Sequence, residues 1–473
     1  DAKNRLLSKL DSRSGKRLTF GYDAVDNLLT KTDYQNDTTD FQYDSTHRRV
    51  SMSNKAYLKA MYQYDPAGRL LTRVLSNGAQ SAYAYDQNGR LTSLLMTSAN
   101  NSPITNIAYT HDRTGHITQA AGLLGAGQSD TRTYTYDALY RLTAVSSTAN
   151  VLLSAAEAFT YDNVGNRSLH TDNAGNTRAY EYYPNSNRLK ALHTGTLTGT
   201  IEKSFTYDDE GRLVSQTGQG AKTLTWDQKN RAKQMVSGTH TNAFQYDPMD
   251  YRLGRQGGTL GTRDYYLEGE HLEAEYQNNT LQAKYFRGLT TDELVAGFTL
   301  INGSLTPSLY HHDQLTSVTG VTAHDGTTQQ GLLYGAFGNL KYRSGSPSFP
   351  NRLRYTGREI DLDTGLYYYR ARYYDPSIGR FISEDPLGFE AGVNFYVYCE
   401  SNPITCNDPS GLISLDDVRN IAGAVTNVAN AVGDGLKRAT GATILSSLPG
   451  MNSDLEQRAA GQFFFGGGAP LYL

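Results

Sequence analysis

Apolar and aromatic residues alternate with polar ones in short runs along roughly the first 260 residues, and each run ends in the same polar phrase. The phrase reads aromatic, any residue, Tyr, Asp, two residues, Gly, Arg, Leu. Full copies are Tyr62-Gln63-Tyr64-Asp65-Pro66-Ala67-Gly68-Arg69-Leu70, Tyr83 to Leu91 and Phe205 to Leu213. Looser copies carry Tyr22-Asp23, Tyr43-Asp44, His111-Asp112, Tyr136-Asp137, Tyr161-Asp162, Trp226-Asp227 and Tyr246-Asp247, with Tyr182 in step. The second aromatic returns every 19 to 26 residues from Tyr22 to Tyr246. A sustained period of that length marks a repeat architecture.

One unit can be read from its chemistry. Phe205 and Tyr207 are two apart, so on a strand they share a face. Asp208 can bond the backbone of a turn, and Gly211 can take the positive φ at its end. Arg212-Leu213 opens a return strand. The unit is therefore a hairpin, and a lone hairpin cannot bury its aromatic face, so neighbours must stack. Turn chemistry accounts for the Tyr-Asp pairs as structure. The rival reading is exposed Tyr stacked on sugars.

Composition sharpens this. The chain holds 35 Tyr and 46 Gly with 19% charged residues, a strand-and-turn balance. A net charge of −3 removes the basic excess expected of a nucleic-acid-binding shell. Two Cys exclude a disulfide scaffold. No apolar run reaches the ~18 residues of a transmembrane helix. The chain starts at Asp1 without an apolar signal segment, so it is expected to be a piece of a longer protein.

The repeated phrase resembles the YD repeat of bacterial Rhs proteins, of the C components of insecticidal toxin complexes and of animal teneurins. The resemblance implies a mainly β fold over residues 1–260, with hairpins spiralling into a hollow shell. Periodicity fades after that, but strand-like segments persist over 261–350, including Tyr310-His311-His312-Asp313. Adjacent His residues on a strand face opposite ways, which argues against a metal site there. No cofactor is implied.

Residues 351–412 carry the densest signal: Arg354-Tyr355-Thr356-Gly357-Arg358-Glu359, Tyr367-Tyr368-Tyr369-Arg370-Ala371-Arg372-Tyr373-Tyr374-Asp375-Pro376, Gly379-Arg380-Phe381 and a closing Pro403-x-x-x-x-Asp408-Pro409-Ser410-Gly411-Leu412. This resembles the Rhs repeat-associated core and its PxxxxDPxGL boundary. The last two Asp-Pro pairs, at Asp385 and Asp408, stand 23 residues apart. Carboxylates brought together share a proton, the aspartic-protease arrangement. Turn formation alone would also account for both pairs. The resemblance implies the first: an intramolecular aspartyl protease, with Asp385 and Asp408 catalytic, Arg380 orienting them, and the cut between Leu412 and Ile413. Glu384 would add charge to the pair or face away. Cys399 and Cys406 are expected to be buried free thiols.

Composition changes at Ile413, and residues 413–473 contain one Tyr and neither His nor Cys. Ser414-Leu415-Asp416-Asp417 resembles a capping box, and apolar spacing predicts a helix over about 415–438. The helix packs on a core or touches a membrane. The resemblance implies that this short, mainly helical segment is all or part of a variable toxin. It also implies a plug-and-protease role for 351–412, with the toxin held inside the shell until delivery. An immunity protein, a chaperone and a type VI secretion spike are the implied partners, and the implied location is outside the producing bacterium or inside a rival. The alternatives are a toxin-complex C component and, in another class, a surface adhesion or carbohydrate-binding protein.

Overall fold

The computed structural model describes residues 1–54, 58–125, 127–148, 156–346 and 349–412. The expected helix of the C-terminal segment, and Ile413 itself, lie outside the described residues. Among the described residues, 31 strands from Ser8–Leu10 to Leu340–Gly345 form one antiparallel sheet. Each strand pairs with the next in sequence, and the ladder runs without interruption across residue 260.

The repeated phrase builds the hairpins and also joins them. In one unit, Asp65 Oδ1 accepts from the Arg69 backbone N–H at 2.8 Å and Oδ2 from Arg69 Nε at 2.6 Å. Gly68 sits at φ +87°, where a side chain would be strained. The Arg69 guanidinium then reaches the neighbouring hairpin. It donates to the Asp86 carbonyl at 3.2 Å and lies 4.8 Å from the centre of the Tyr85 ring. Arg48, Arg90, Arg141, Arg212 and Arg231 make the same step to the next Asp carbonyl.

The tyrosine hydroxyl works in the other direction. Tyr64 Oη donates to the Arg49 carbonyl of the preceding hairpin at 2.6 Å, and Tyr43, Tyr85, Tyr136, Tyr161, Tyr182 and Tyr246 do likewise. Trp226 does it with its indole N–H, at 2.8 Å from the Leu213 carbonyl. Tyr, rather than Phe, is needed because the ring must end in a donor. The first aromatic of most phrases, such as Phe41, Tyr62, Phe159, Phe205 or Phe244, is buried in the core, while Phe20 and Tyr83 are half-buried. Asp65→Ala removes the acceptor for two donors and loosens Arg69 from its neighbour. The expected cost is about 1–3 kcal/mol, read as a lower denaturation midpoint.

Each hairpin also carries a β-bulge at its second aromatic, seen at Tyr22, Tyr43, Tyr64, Tyr85, Tyr136, Tyr161, Tyr207 and Tyr246 among others. A bulge bends its strand and increases local twist. Repeated at one position in every unit, it curls the sheet until late strands meet early ones. Lys31 Nζ then binds Glu268 at 2.7 Å and Glu273 at 2.6 Å. Tyr34 donates to the Leu267 carbonyl, Arg49 to that of Gly288, and Arg132 to that of Tyr334. The sheet therefore winds on itself without closing into a barrel.

Residues 349–412 form a second, small unit docked on this sheet. A four-stranded sheet runs through Glu359–Ile360, Tyr367–Tyr369, Arg372–Asp375 and Arg380–Phe381. Buried charges key it to the shell: Arg252 to Glu359 at 2.5 Å, Lys222 to Asp375 at 3.0 Å, Arg352 to Glu275 at 2.8 Å. Tyr355, Tyr367, Tyr369, Tyr374 and Tyr398 share one core with Tyr265, Tyr285, Tyr310 and Leu332 of the shell.

Candidate active site

Both Asp-Pro pairs make turns. Gly388 N–H donates to the Asp385 carbonyl at 2.9 Å, and Gly411 N–H to that of Asp408 at 3.3 Å. Proline sets φ for the second turn position and leaves each Asp at the first. The turns do not compete with a site; they aim two carboxylates at one guanidinium. Arg372 Nη2 lies 2.6 Å from Asp385 Oδ2 and 3.3 Å from Asp408 Oδ2. All three side chains are buried.

Arg372 comes from the second strand of the hairpin Tyr367–Tyr369/Arg372–Asp375. Its other donors are occupied as well. Nε donates to the Gly411 carbonyl at 2.6 Å and Nη1 to that of Phe395 at 3.0 Å. Its guanidinium lies 3.6 Å from the centre of the Phe381 ring. The tip of the same hairpin holds the boundary segment: Ala371 N–H donates to the Ser410 carbonyl at 3.1 Å, and Arg370 to that of Pro409. Gly411 must be glycine, since φ is +71° and a Cβ would come within 2.3 Å of the Tyr369 carbonyl oxygen.

The remaining oxygens of the pair are hydrogen-bonded differently. Asp408 Oδ1 accepts from the Leu412 backbone N–H at 3.0 Å and from Ser410 Oγ at 3.1 Å. Asp385 Oδ1 accepts from Leu387 N–H at 2.9 Å. Burial pushes Asp385 up to about 6, with Arg372 pulling down and Asp408 adding to the rise. Burial also raises Asp408, opposed by Arg372 and by the Leu412 N–H. The arrangement is two neighbouring carboxyls, one shared cation, and the backbone of Leu412 tied to one of them.

One expectation changes. Arg380 reaches neither carboxylate; it donates to the Asn187 carbonyl at 2.5 Å and sits over the Tyr182 and Tyr396 rings. Its strand pairs it with Asp375, which points it to the shell, and Arg372 takes the orienting position instead. The Gly-Arg-Phe element of the resemblance suggested Arg380, whereas hairpin register selects Arg372. Glu384 faces away, towards Tyr396 Oη at 3.2 Å and Arg188 at 3.5 Å. Pro403 is buried, its carbonyl 3.4 Å from Tyr355 Oη. Cys399 and Cys406 are buried free thiols. His311 Nε2 meets Thr322 Oγ1 at 3.0 Å inside the sheet.

A wound antiparallel repeat sheet with a docked C-terminal unit defines a shell-type repeat protein. Comparison with known proteins narrows the class. The family described as RHS Repeat matches residues 22–56 and 64–102. Double-stranded DNA deaminase toxin A of Burkholderia cenocepacia is 27% identical over 54% of this chain and 17% of its own length. The tRNA nuclease WapA of Bacillus subtilis is 27% identical over 54% of this chain and 11% of its own. Toxin subunit YenC1 of Yersinia entomophaga is 25% identical over 65% of this chain and 37% of its own. The chain thus spans well under half of these relatives. The structure of the Photorhabdus luminescens Tc holotoxin pore matches with a TM-score of 0.70 at 20% identity, over 84% of this chain and 21% of that one. A crystal structure of TcdB2-TccC3 matches with a TM-score of 0.68 at 19% identity, over 84% of this chain and 22% of that one. These structural likenesses establish the shell fold. Residues 22–56 and 64–102 thus carry RHS repeats, and the chain is similar in sequence to proteins named as toxins.

Proposed function

We propose that residues 349–412 sever the chain between Leu412 and Ile413 by an intramolecular aspartyl peptidase reaction, and that the wound sheet encloses the segment released. The observation that carries this is the Asp385–Arg372–Asp408 cluster with Asp408 bonded to the Leu412 N–H. An ionised carboxylate of the pair takes a proton from water, and the oxygen of that water attacks the Leu412 carbonyl carbon. The protonated partner gives its proton to the carbonyl oxygen. Collapse passes a proton to the Ile413 nitrogen and breaks the C–N bond, leaving a carboxylate on Leu412 and an amine on Ile413. One cut, on a bond already tethered to the site, gains from proximity what a separate substrate would lose.

Intact mass of the full chain under denaturing conditions tests this. Two pieces meeting at Leu412-Ile413 are expected; an uncut chain overturns the proposal. The proton-donating carboxyl also imposes a pH profile. Asp385 holds its proton at mildly acid pH and loses it as pH rises through about 6. Cutting of newly made chain is expected to slow by about tenfold per pH unit above that value. A rate that is flat from pH 5 to pH 8 would remove Asp385 as the donor.

The released segment is, on this reading, a toxin. Relatives carrying a nuclease or deaminase toxin name support that class without naming its target. Export from the producing bacterium, delivery by a type VI spike, an immunity protein and a chaperone belong to the same reading. Recovery of the chain with spike proteins from culture medium is their test. A second reading, a C component of an insecticidal toxin complex, is favoured by the fold match to the TcdB2-TccC3 structure and by the coverage of YenC1. Adhesion through exposed Tyr has less support, because the repeat hydroxyls are taken up by backbone carbonyls.

A further inference from the structure

Three consecutive residues at one hairpin tip hold three consecutive carbonyls of the boundary segment. Arg370 donates to that of Pro409, Ala371 N–H to that of Ser410 at 3.1 Å, and Arg372 Nε to that of Gly411 at 2.6 Å. Arg372 also binds the carboxyl pair, whereas the ion pairs of Arg370 go to the shell. The tip is a two-residue loop, and Arg370 has a φ of 56°. That loop position favours Gly or Asn, and a long side chain is kept there only where its contacts compensate.

The compensating contact is Asp292, buried in the turn between the shell strands Thr280–Arg287 and Leu294–Ile301. Asp292 Oδ1 accepts from Arg370 Nη2 at 2.8 Å and Oδ2 from Arg370 Nη1 at 3.0 Å. Both oxygens also accept from Arg358 Nη1 at 2.9 Å. A two-pronged pair of this kind fixes direction as well as charge. Two residues where Arg263–Glu268 turns into His271–Gln277 face the same guanidinium. Glu270 Oε1 lies 3.1 Å from Arg370 Nε, and His271 Nδ1 lies 3.2 Å from Nη2. The fit is close, since a Cβ on Gly357 would come within 2.3 Å of the Asp292 carbonyl oxygen. Burial would raise the Asp292 carboxyl, but Arg358 and Arg370 outweigh it and hold it well below the ordinary range. Asp292 is therefore ionised throughout the range in which Asp385 titrates.

We propose that Asp292 is a positioning residue for the cut: from the shell it holds Arg370 on the Pro409 carbonyl, so the scissile bond is set against the carboxyl pair only when this part of the shell is packed on residues 349–412. The inference rests on the peptidase reading. Without Asp292, the Arg370 side chain is free to leave Pro409, and the boundary segment keeps two of its three tethers. A misplacement of roughly 1 Å costs about a hundredfold in rate. Release of the segment is thereby tied to a docked shell.

The test follows cutting of the full chain, made by cell-free synthesis, with denaturing mass spectrometry. Asp292→Asn and Arg370→Met are each expected to slow the cut about a hundredfold. The double variant should be no slower than either, because the two residues act as one unit. Arg370→Met leaves the Asp292–Arg358 pair in place and carries the test if Asp292→Asn does not fold. Lys222→Met is the reference. It breaks the buried Lys222–Asp375 pair, which also joins shell to core but bonds none of residues 408–412. It should lower the denaturation midpoint and leave the rate of the folded chain unchanged. Among the described residues, neither Asp292 nor Arg370 is bonded to Asp385 or Asp408, so the slowed variants should keep the parental bend near pH 6. Equal slowing by Lys222→Met, additive losses in the double variant or a displaced bend would each reduce Asp292 to a docking contact. A parent that cuts beside folded variants that cut equally fast overturns this inference alone. A parent that is never cut overturns the peptidase reading, and this inference with it.

Discussion

Asp408→Asn leaves the chain in one piece. The amide keeps the size of the side chain and can still accept from the Leu412 N–H and Ser410, so the turn at Pro409 persists. It cannot ionise, and it cannot share a proton with Asp385. The pair then lacks either its base or its acid, whichever role Asp408 fills, and loss of one member of a unit removes most of what the unit does. The expected fall in rate is about a thousandfold or more. Denaturing mass spectrometry over time reads it directly. An Asp408→Asn chain that splits at the parental rate would reduce both Asp-Pro pairs to turns. Asp385→Asn is expected to behave alike, and that symmetry is what distinguishes a pair from a single assisting carboxylate.

Arg372→Met is the second large effect, and it falls on stability as well as on cutting. Arg372 is buried, binds both carboxyls, and satisfies the carbonyls of Gly411 and Phe395. Methionine fills part of the volume and supplies none of those donors. Removing one partner from a buried ionic cluster costs about 3–5 kcal/mol, because the other charges stay buried without compensation. The deficit depends on pH, and its sign follows from the carboxyls. Arg372 holds both carboxyls down, so its loss raises them further above their unfolded values. A carboxyl raised in the fold contributes stability that is full below the unfolded value, near 4, and is lost as pH rises through the folded one. The variant should therefore be nearest the parent at about pH 4 to 5 and furthest at pH 8. Denaturant midpoints at both ends measure this. Adding Asp385→Asn and Asp408→Asn to Arg372→Met should recover part of the loss at pH 8 without restoring the cut. Equal deficits at the two pH values would mean that Arg372 acts by packing on Phe381 rather than by charge.

Much of the shell is legible in the sequence because its information is local. The turn at Asp65-Pro66-Ala67-Gly68-Arg69 closes within five residues, and two-residue alternation sets which side chains are buried. The links between hairpins were not legible. Arg69 in the turn and Tyr85 in the next strand look like independent choices until the hairpins lie side by side. Then the guanidinium covers the ring and caps the Asp86 carbonyl. The bulge at each second aromatic leaves no mark of its own in the residue pattern, yet it bends the sheet.

The sequence by itself determined the period, the hairpin, the place where repeats give way to a denser block, and the two Asp-Pro turns. These rest on residues within reach of one another along the chain. Tertiary structure alone decided that Lys31 meets Glu268 and Glu273, and that Arg372 rather than Arg380 joins Asp385 to Asp408. Each of those contacts depends on accumulated curvature or on strand register. A small bend per hairpin brings early and late strands together only after many hairpins, and strand register decides which side chain faces which. Neither quantity is carried by any single short segment, so neither could be read before the sheet had closed on its partners.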